Sequence, residues 1–289
     1  MTRAVLSVAF AYLVALAVAL VVGRTAPLEH PVGLALAADV AATVVIFGFS
    51  VAYRNSSFYD PYWSLAPIPI ALYWLSLANI YPVRAFVVLG LVTLWGLRLT
   101  WNWLRGWQGL GHEDWRYTDL QRSSGRAYWL VSFSGIHMAP TLWVFAGCLS
   151  LYPSLADARA PFGVPLDLLA LVVTGGSIWL EARSDQQLKR YRESGPPAGE
   201  FLRSGLWAWS RHPNYLGEMG FWWGLYLFGL AANPDWWWAI VGPLSITLMF
   251  RFISLPMIET RMCERRPGYA DYAARSSMLL PRPPRVQPS

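Results

Sequence analysis

Five polar side chains crowd into the stretch "SRHPNYLGE", Ser210 to Glu218, before the chain turns apolar again. Arg211 can grip an anion with its guanidinium fork. His212 can take or give a proton near neutral pH. Asn214 and Glu218 stand four residues apart, so on a helix they share a face, with Tyr215 beside them. Pro213 suits the first turn of a helix, where no amide donor is required. The free backbone amides and positive dipole end of such a helix favour an anion such as phosphate.

Further polar residues interrupt the apolar runs. In "LEARSDQQLKRYRESG", Glu181, Asp185, Leu188 and Arg192 recur at helical spacing on one face, and Lys189 is spaced to pair with Asp185. Arg203 lies in the "RSG" turn that follows. Arg98 and Asn102 stand four residues apart near the end of an apolar run, with Arg105 just after. A buried arginine there needs a partner or a polar cavity. Arg251 raises the same question, with Glu259 two turns later on the same face. Asp60, in "NSSFYDPYWS", precedes another apolar run. His137 and Asp39 suit helix–helix hydrogen bonds. No cysteine or histidine spacing fits a metal site, and Cys148 and Cys263 should fall at different depths, which argues against a disulfide.

The elements that position these residues are apolar. Of 289 residues, 55% are hydrophobic and 14% charged, against about 25% charged in a soluble domain. Eight apolar segments run near Ala4–Gly23, Val32–Tyr53, Tyr62–Ile80, Arg84–Leu104, Tyr128–Tyr152, Val164–Leu180, Met219–Ala232 and Trp236–Ile258. The fold class is all-α, a multi-pass transmembrane bundle of seven or eight spans. The first segment reads as a retained span rather than a signal peptide. "NPD", Asn233–Asp235, makes a tight turn between the last two segments.

With eight spans, one side of the membrane receives Arg3, Arg54, Arg105, Arg116, Arg122, Arg126, the Arg183–Arg211 stretch and the tail from Arg261 to Arg285. The other receives Arg24, Arg84 and Arg159. The positive-inside rule puts both termini and the long polar connections in the cytoplasm; the resemblance to bacterial relatives described below implies a bacterial inner membrane. The net charge of +6 rests on arginine, since Lys189 is the one lysine. No free basic helix or basic–aromatic platform supports nucleic-acid binding. No obligate protein partner and no internal repeat of the transporter kind are evident. Residues 1–282 read as one domain, and 283–289 as a disordered tail.

"GLWAWSRHPNYLGEMGFWWGLYLFGL", followed by "RFISLPMIETRMCERRPGYADYAARSSMLLP", resembles the C-terminal domain of the steroid 5-alpha-reductases and their bacterial relatives. "DPYWS" at Asp60–Ser64, "WGLRL" at Trp95–Leu99 and "EDWRY" at Glu113–Tyr117 extend the resemblance over residues 50–282. The resemblance implies a membrane reductase with a cytoplasmic pocket for NADPH, acting on a conjugated C=C bond of a lipid-like substrate that arrives through the bilayer. By motif it implies cofactor contacts at Arg98, Asn102, Arg105, Glu181, Asp185, Arg192, Arg203, Arg211, His212, Asn214, Tyr215, Glu218 and Arg251. Asp60 falls near the position of the family's catalytic glutamate. Trp95 stands where the family has its catalytic tyrosine, and Tyr117 is the replacement chosen here. Isoprenylcysteine and phospholipid methyltransferases share the R-H-P-x-Y-x-G pattern, so an S-adenosylmethionine-dependent membrane methyltransferase is the alternative.

Overall fold

A computed structural model describes residues 2–78 and 83–283. It is helical throughout, with no strand among the described residues. Helices α1 (Thr2–Thr25) and α2 (Pro31–Tyr53) form the first pair. Two short pieces, α3 (Tyr62–Leu65) and α4 (Pro67–Ser76), lead to α5 (Val83–Gly106). The polar connection after α5 carries α6 (Trp115–Ser124) and continues into α7 (128–155). Then come α8 (Pro165–Glu193), the single turn α9 (Leu206–Trp209), α10 (Pro213–Ala232), α11 (Pro234–Arg265) and α12 (Tyr269–Arg275).

Among the described residues, six helices are long and apolar enough to cross a bilayer: α1, α2, α5, the run through α6 and α7, α8 and α11. Seven or eight were expected, and the difference has two causes. The third apolar segment breaks at Pro67 into α3 and α4, and its expected end at Ile80 lies outside the described residues. The seventh becomes α10, about 30 Å long at 1.5 Å per residue, whose Asn214, Glu218, glycines and aromatic residues make it less apolar than the six; much of it is also buried among its neighbours. Asn233 turns the chain directly from α10 into α11, its side chain accepting from the Asp235 amide at 3.1 Å, as the "NPD" turn requires. The expected tail lies outside the described residues, apart from Pro283.

The main core gathers Trp74, Trp95, Phe145, Phe221, Trp222 and Phe228 around α10. Its closest packing is between α10 and α8. A Cβ at Gly217 would lie 2.8 Å from the Ser177 carbonyl oxygen, and one at Gly224 would lie 2.1 Å from Thr174 Oγ1. Small residues allow this approach, and in a membrane such packing replaces the missing hydrophobic drive between helices.

Polar side chains tie the remaining helices together. Tyr62 donates to Asp39 at 2.9 Å, and His137 Nε2 lies 2.9 Å from Ser50 Oγ, the helix–helix role expected of both. His137 belongs to a π-helical stretch of α7, Ser132–Met138. At the opposite end of the bundle from the "RHPNY" segment, Arg84 and Asp167 form a fully buried, bidentate ion pair at 2.8 Å. Arg84 also donates to the carbonyls of Ala160 and Pro161. Replacing Arg84 alone with Met strands a buried carboxylate and should cost about 3–5 kcal/mol. The double variant Arg84→Met/Asp167→Leu should recover most of that loss, as read by thermal unfolding in detergent.

Candidate functional site

The residues singled out from sequence gather at the arginine-rich end of α5, α8 and α10. Arg98 of α5 reaches across to α8. Its Nη2 stands 2.5 Å from Glu181 Oε2, and its Nη1 lies 3.1 Å from Asp185 Oδ2. Asn102 donates to Asp185 at 3.2 Å, and Asn214 donates to the other Asp185 oxygen at 3.4 Å. Asp185 therefore serves α5 and α10, and does not pair with Lys189, which turns to Glu193 at 3.6 Å. Arg105 donates to Asn102 at 3.2 Å and is otherwise exposed.

Glu218 sits one turn deeper, 5% exposed. Each of its oxygens accepts from an indole at 2.9 Å, Oε2 from Trp95 and Oε1 from Trp222. Trp95 stacks on Phe221 with ring centroids 4.4 Å apart, which fixes its N–H toward the carboxyl. At this position Trp95 acts as a hydrogen-bond donor to Glu218. Glu181, 4% exposed, lies within electrostatic reach of Glu218 from α8. Sequence reasoning missed Trp222; its i+4 spacing from Glu218 was the available signal.

A second group forms where α6 folds over the end of α2. Asn55 donates to the carbonyls of Leu110 and His112, and Glu113 accepts from the Ser56 amide at 2.6 Å. Asp114 caps α6 and holds Arg116 through Nε at 2.8 Å. This stitching brings Tyr117 to Asp60, with O–H to Oδ1 at 2.6 Å. The two residues chosen as catalytic thus meet across 57 positions of sequence. Tyr215 lies between the groups, within electrostatic reach of Arg116 and Asp114 on one side and of Asp185 and Glu218 on the other.

The other residues of the expected set have partners or surroundings of their own. Arg211 spends its donors on structure. Nε and Nη2 grip Glu259 at 2.8 and 2.9 Å, while Nη1 holds the carbonyls of Ala273 and Ser276. His212 Nε2 lies 2.6 Å from the same Glu259, and Tyr269 donates to it at 3.2 Å. This knot fastens the C-terminal segment to the start of α10. Arg192 is exposed at the end of α8, within electrostatic reach of Asp185. Arg203 is exposed over the Phe201 ring. Arg251 lies in the π-helical stretch Phe250–Ser254, exposed over Phe252, and is not among the ion-pair partners of Glu259.

Burial pushes the Asp60 carboxyl up to about 6, against the Tyr117 hydroxyl and Arg116, which hold it down. The folded value exceeds the unfolded one near 3.8, so the native protein binds this proton more tightly. Its contribution to stability is full at low pH and is lost as pH rises through about 6. Asp60→Asn, which cannot ionise, should therefore gain in melting temperature relative to the parent protein between about pH 4.5 and about pH 7.5. A difference that stays constant over that range would show that Asp60 does not carry the shift.

The family model described as "Protein of unknown function (DUF1295)" matches residues 46–276. A Schizosaccharomyces pombe protein, described as uncharacterized, is 30% identical over 263 residues, covering 82% of this chain and 76% of that protein. No solved structure matches the chain. The matched region runs from the last turns of α2 to the end of α12 and takes in both groups of polar residues, and the chain belongs to the DUF1295 family.

Proposed function

We propose that this membrane protein is an NADPH-dependent reductase of a conjugated C=C bond in a lipid-like substrate, with its arginine-rich end in the cytoplasm. The observation that carries the reading is the Asp60–Tyr117 hydrogen bond. A carboxyl holding a phenol is suited to polarise a carbonyl, where charge develops during reduction. Tyr117 would turn its one O–H from Asp60 to the carbonyl oxygen, and Asp60, in its protonated form, would then donate to the phenol oxygen.

The polar residues of the first group fit a nucleotide. Arg98 Nε and Asn214 Oδ1 are buried without a hydrogen-bond partner, so a ligand with hydroxyl and amide groups would satisfy atoms that the chain leaves open. Arg105, Arg192 and Arg203 stand exposed at this end and suit phosphates. NADPH would supply the hydride. The open, apolar outer face of α5 runs along Leu89, Thr93, Leu94 and Leu97 to Arg98, as a bilayer-facing helix requires.

One observation favours a second reading. The deep end of the cluster sets Glu181, Asp185 and Glu218 against the single guanidinium of Arg98. Such an excess of carboxyls suits the cationic sulfonium of S-adenosylmethionine, and so a lipid methyltransferase. The Asp60–Tyr117 pair has no part in that chemistry.

Purified protein in lipid nanodiscs should perturb NADPH fluorescence and be stabilised thermally by NADPH. Asn214→Ala should weaken that binding. Tyr117→Phe should leave binding intact and, once a substrate enone is found, lower kcat by about 10²-fold or more. Stabilisation by S-adenosylmethionine alone reverses the two readings.

A further inference from the structure

Tyr117 needs a support that its own hydrogen bond cannot give. Its one O–H points to Asp60 at 2.6 Å. When that proton turns to a substrate oxygen, the bond that now holds the ring is given up. The rest of α6 does little to keep the ring in place. No residue of this helix is fully buried. Its leading residues Glu113 and Asp114 are tied to the end of α2, but glycines with positive φ stand on both sides, Gly109 at 89° and Gly125 at 52°. Such positions leave the backbone free to swivel.

From Trp115 onward, two hydrogen-bonded links join α6 to distant parts of the chain among the described residues. One is the Tyr117–Asp60 bond. The other comes from Arg261 of α11, which donates to Asp119 at 3.0 Å and lies 3.9 Å from the centre of the Trp115 ring. Trp115 and Asp119 are i and i+4, so they share a face. Tyr117, two residues from each, is turned about 200° away at about 100° per residue. Arg261 therefore presses on one face of α6, while Tyr117 reaches Asp60 from the opposite face. Arg261 has a firm mounting. Two residues before it, Glu259 holds Arg211 at 2.8 and 2.9 Å and His212 at 2.6 Å, which ties this end of α11 to the start of α10. A guanidinium that is both stacked and ion-paired fixes orientation as well as distance.

We propose that Arg261 is a positioning residue for Tyr117. It holds α6 from behind, so that the phenol keeps its place at Asp60 while its O–H turns to the substrate. The use in catalysis rests on the reductase reading above; the placement of the ring does not. The contacts of Arg261 go to α6 and not to the cluster around Asp185, so its loss disturbs the phenol and spares nucleotide binding.

Infrared difference spectra of the full chain in nanodiscs test this. Each protein is read against its own Tyr117→Phe counterpart, which isolates the C–O stretch of this phenol. Asp60→Ala gives the band position once the carboxyl partner is gone. Arg261→Ala should move the band most of the way to that position. Its melting temperature should fall only slightly, since a partly exposed ion pair contributes little. Should Arg261→Ala fail to fold, Asp119→Asn at a more exposed position should give a smaller shift of the same sign. A band that stays at the parent position in a folded variant leaves Arg261 a structural role alone and overturns the proposal. In Arg261→Ala the Kd for NADPH should stay within about twofold of the parent value, while kcat on any enone that the parent reduces should fall about tenfold or more. If the parent protein binds no NADPH, the reductase reading fails, and the band still decides whether Arg261 places Tyr117.

Discussion

The closeness of α8 and α10 is the constraint on which the polar cluster depends. With no side chain at Gly217 or Gly224, the two backbones approach until Ser177 and Thr174 touch the opposite helix. Glu181 and Glu218 are then both buried in the interior. Placing acidic groups there is costly, and the surrounding residues offset that cost. Arg98 crosses from α5 to neutralise part of the charge, and two indoles satisfy Glu218. Trp95 does this because its ring is stacked on Phe221 and held at one angle. A larger residue at Gly217 would separate the helices and dismantle the arrangement that the other residues serve.

Around that centre, two outer layers are fastened by different chemistry. The connection between α5 and α7 is laced to the end of α2 through Asn55, Ser56, Glu113 and Asp114, and this lacing sets Tyr117 on Asp60. The C-terminal segment is drawn against the start of α10 by Arg211, His212 and Tyr269, all of which converge on Glu259. Arg261 links the two layers, donating to Asp119 while lying 3.9 Å from the centre of the Trp115 ring. Both layers thus close over the same end of the bundle, with Tyr215 between the two groups of charged residues.

The arginines divide by task. Arg84, Arg116 and Arg211 have their donors committed to carboxylates or carbonyls within the chain, and they hold structure. Arg105, Arg192 and Arg203 keep solvent contact at the polar end. Arg98 lies between these extremes, ion-paired yet with a buried donor left open. An excess of arginine in the composition therefore says little by itself about ligands. What matters is which guanidiniums the fold leaves unspent.

Much of the molecule was legible before any coordinates. Long apolar runs have one stable form in a bilayer, the helix, so the all-α membrane class followed from composition and periodicity. Polar residues at i, i+4 spacing marked Arg98 with Asn102, Glu181 with Asp185, and Asn214 with Glu218, because helix geometry alone places such pairs on one face. Other features depended on contacts between distant segments. Spacing could not tell that Asp185 would turn to Arg98 rather than to Lys189, or that Arg211 would be consumed by Glu259, 48 residues away. Nor could it tell that α10 would be wrapped by other helices rather than by lipid, since an apolar helix reads the same in either setting. The burial of both Glu181 and Glu218 was decided by tertiary structure alone, because it arises from how closely two backbones pack, and that distance is set by the glycines of one helix against the side chains of another.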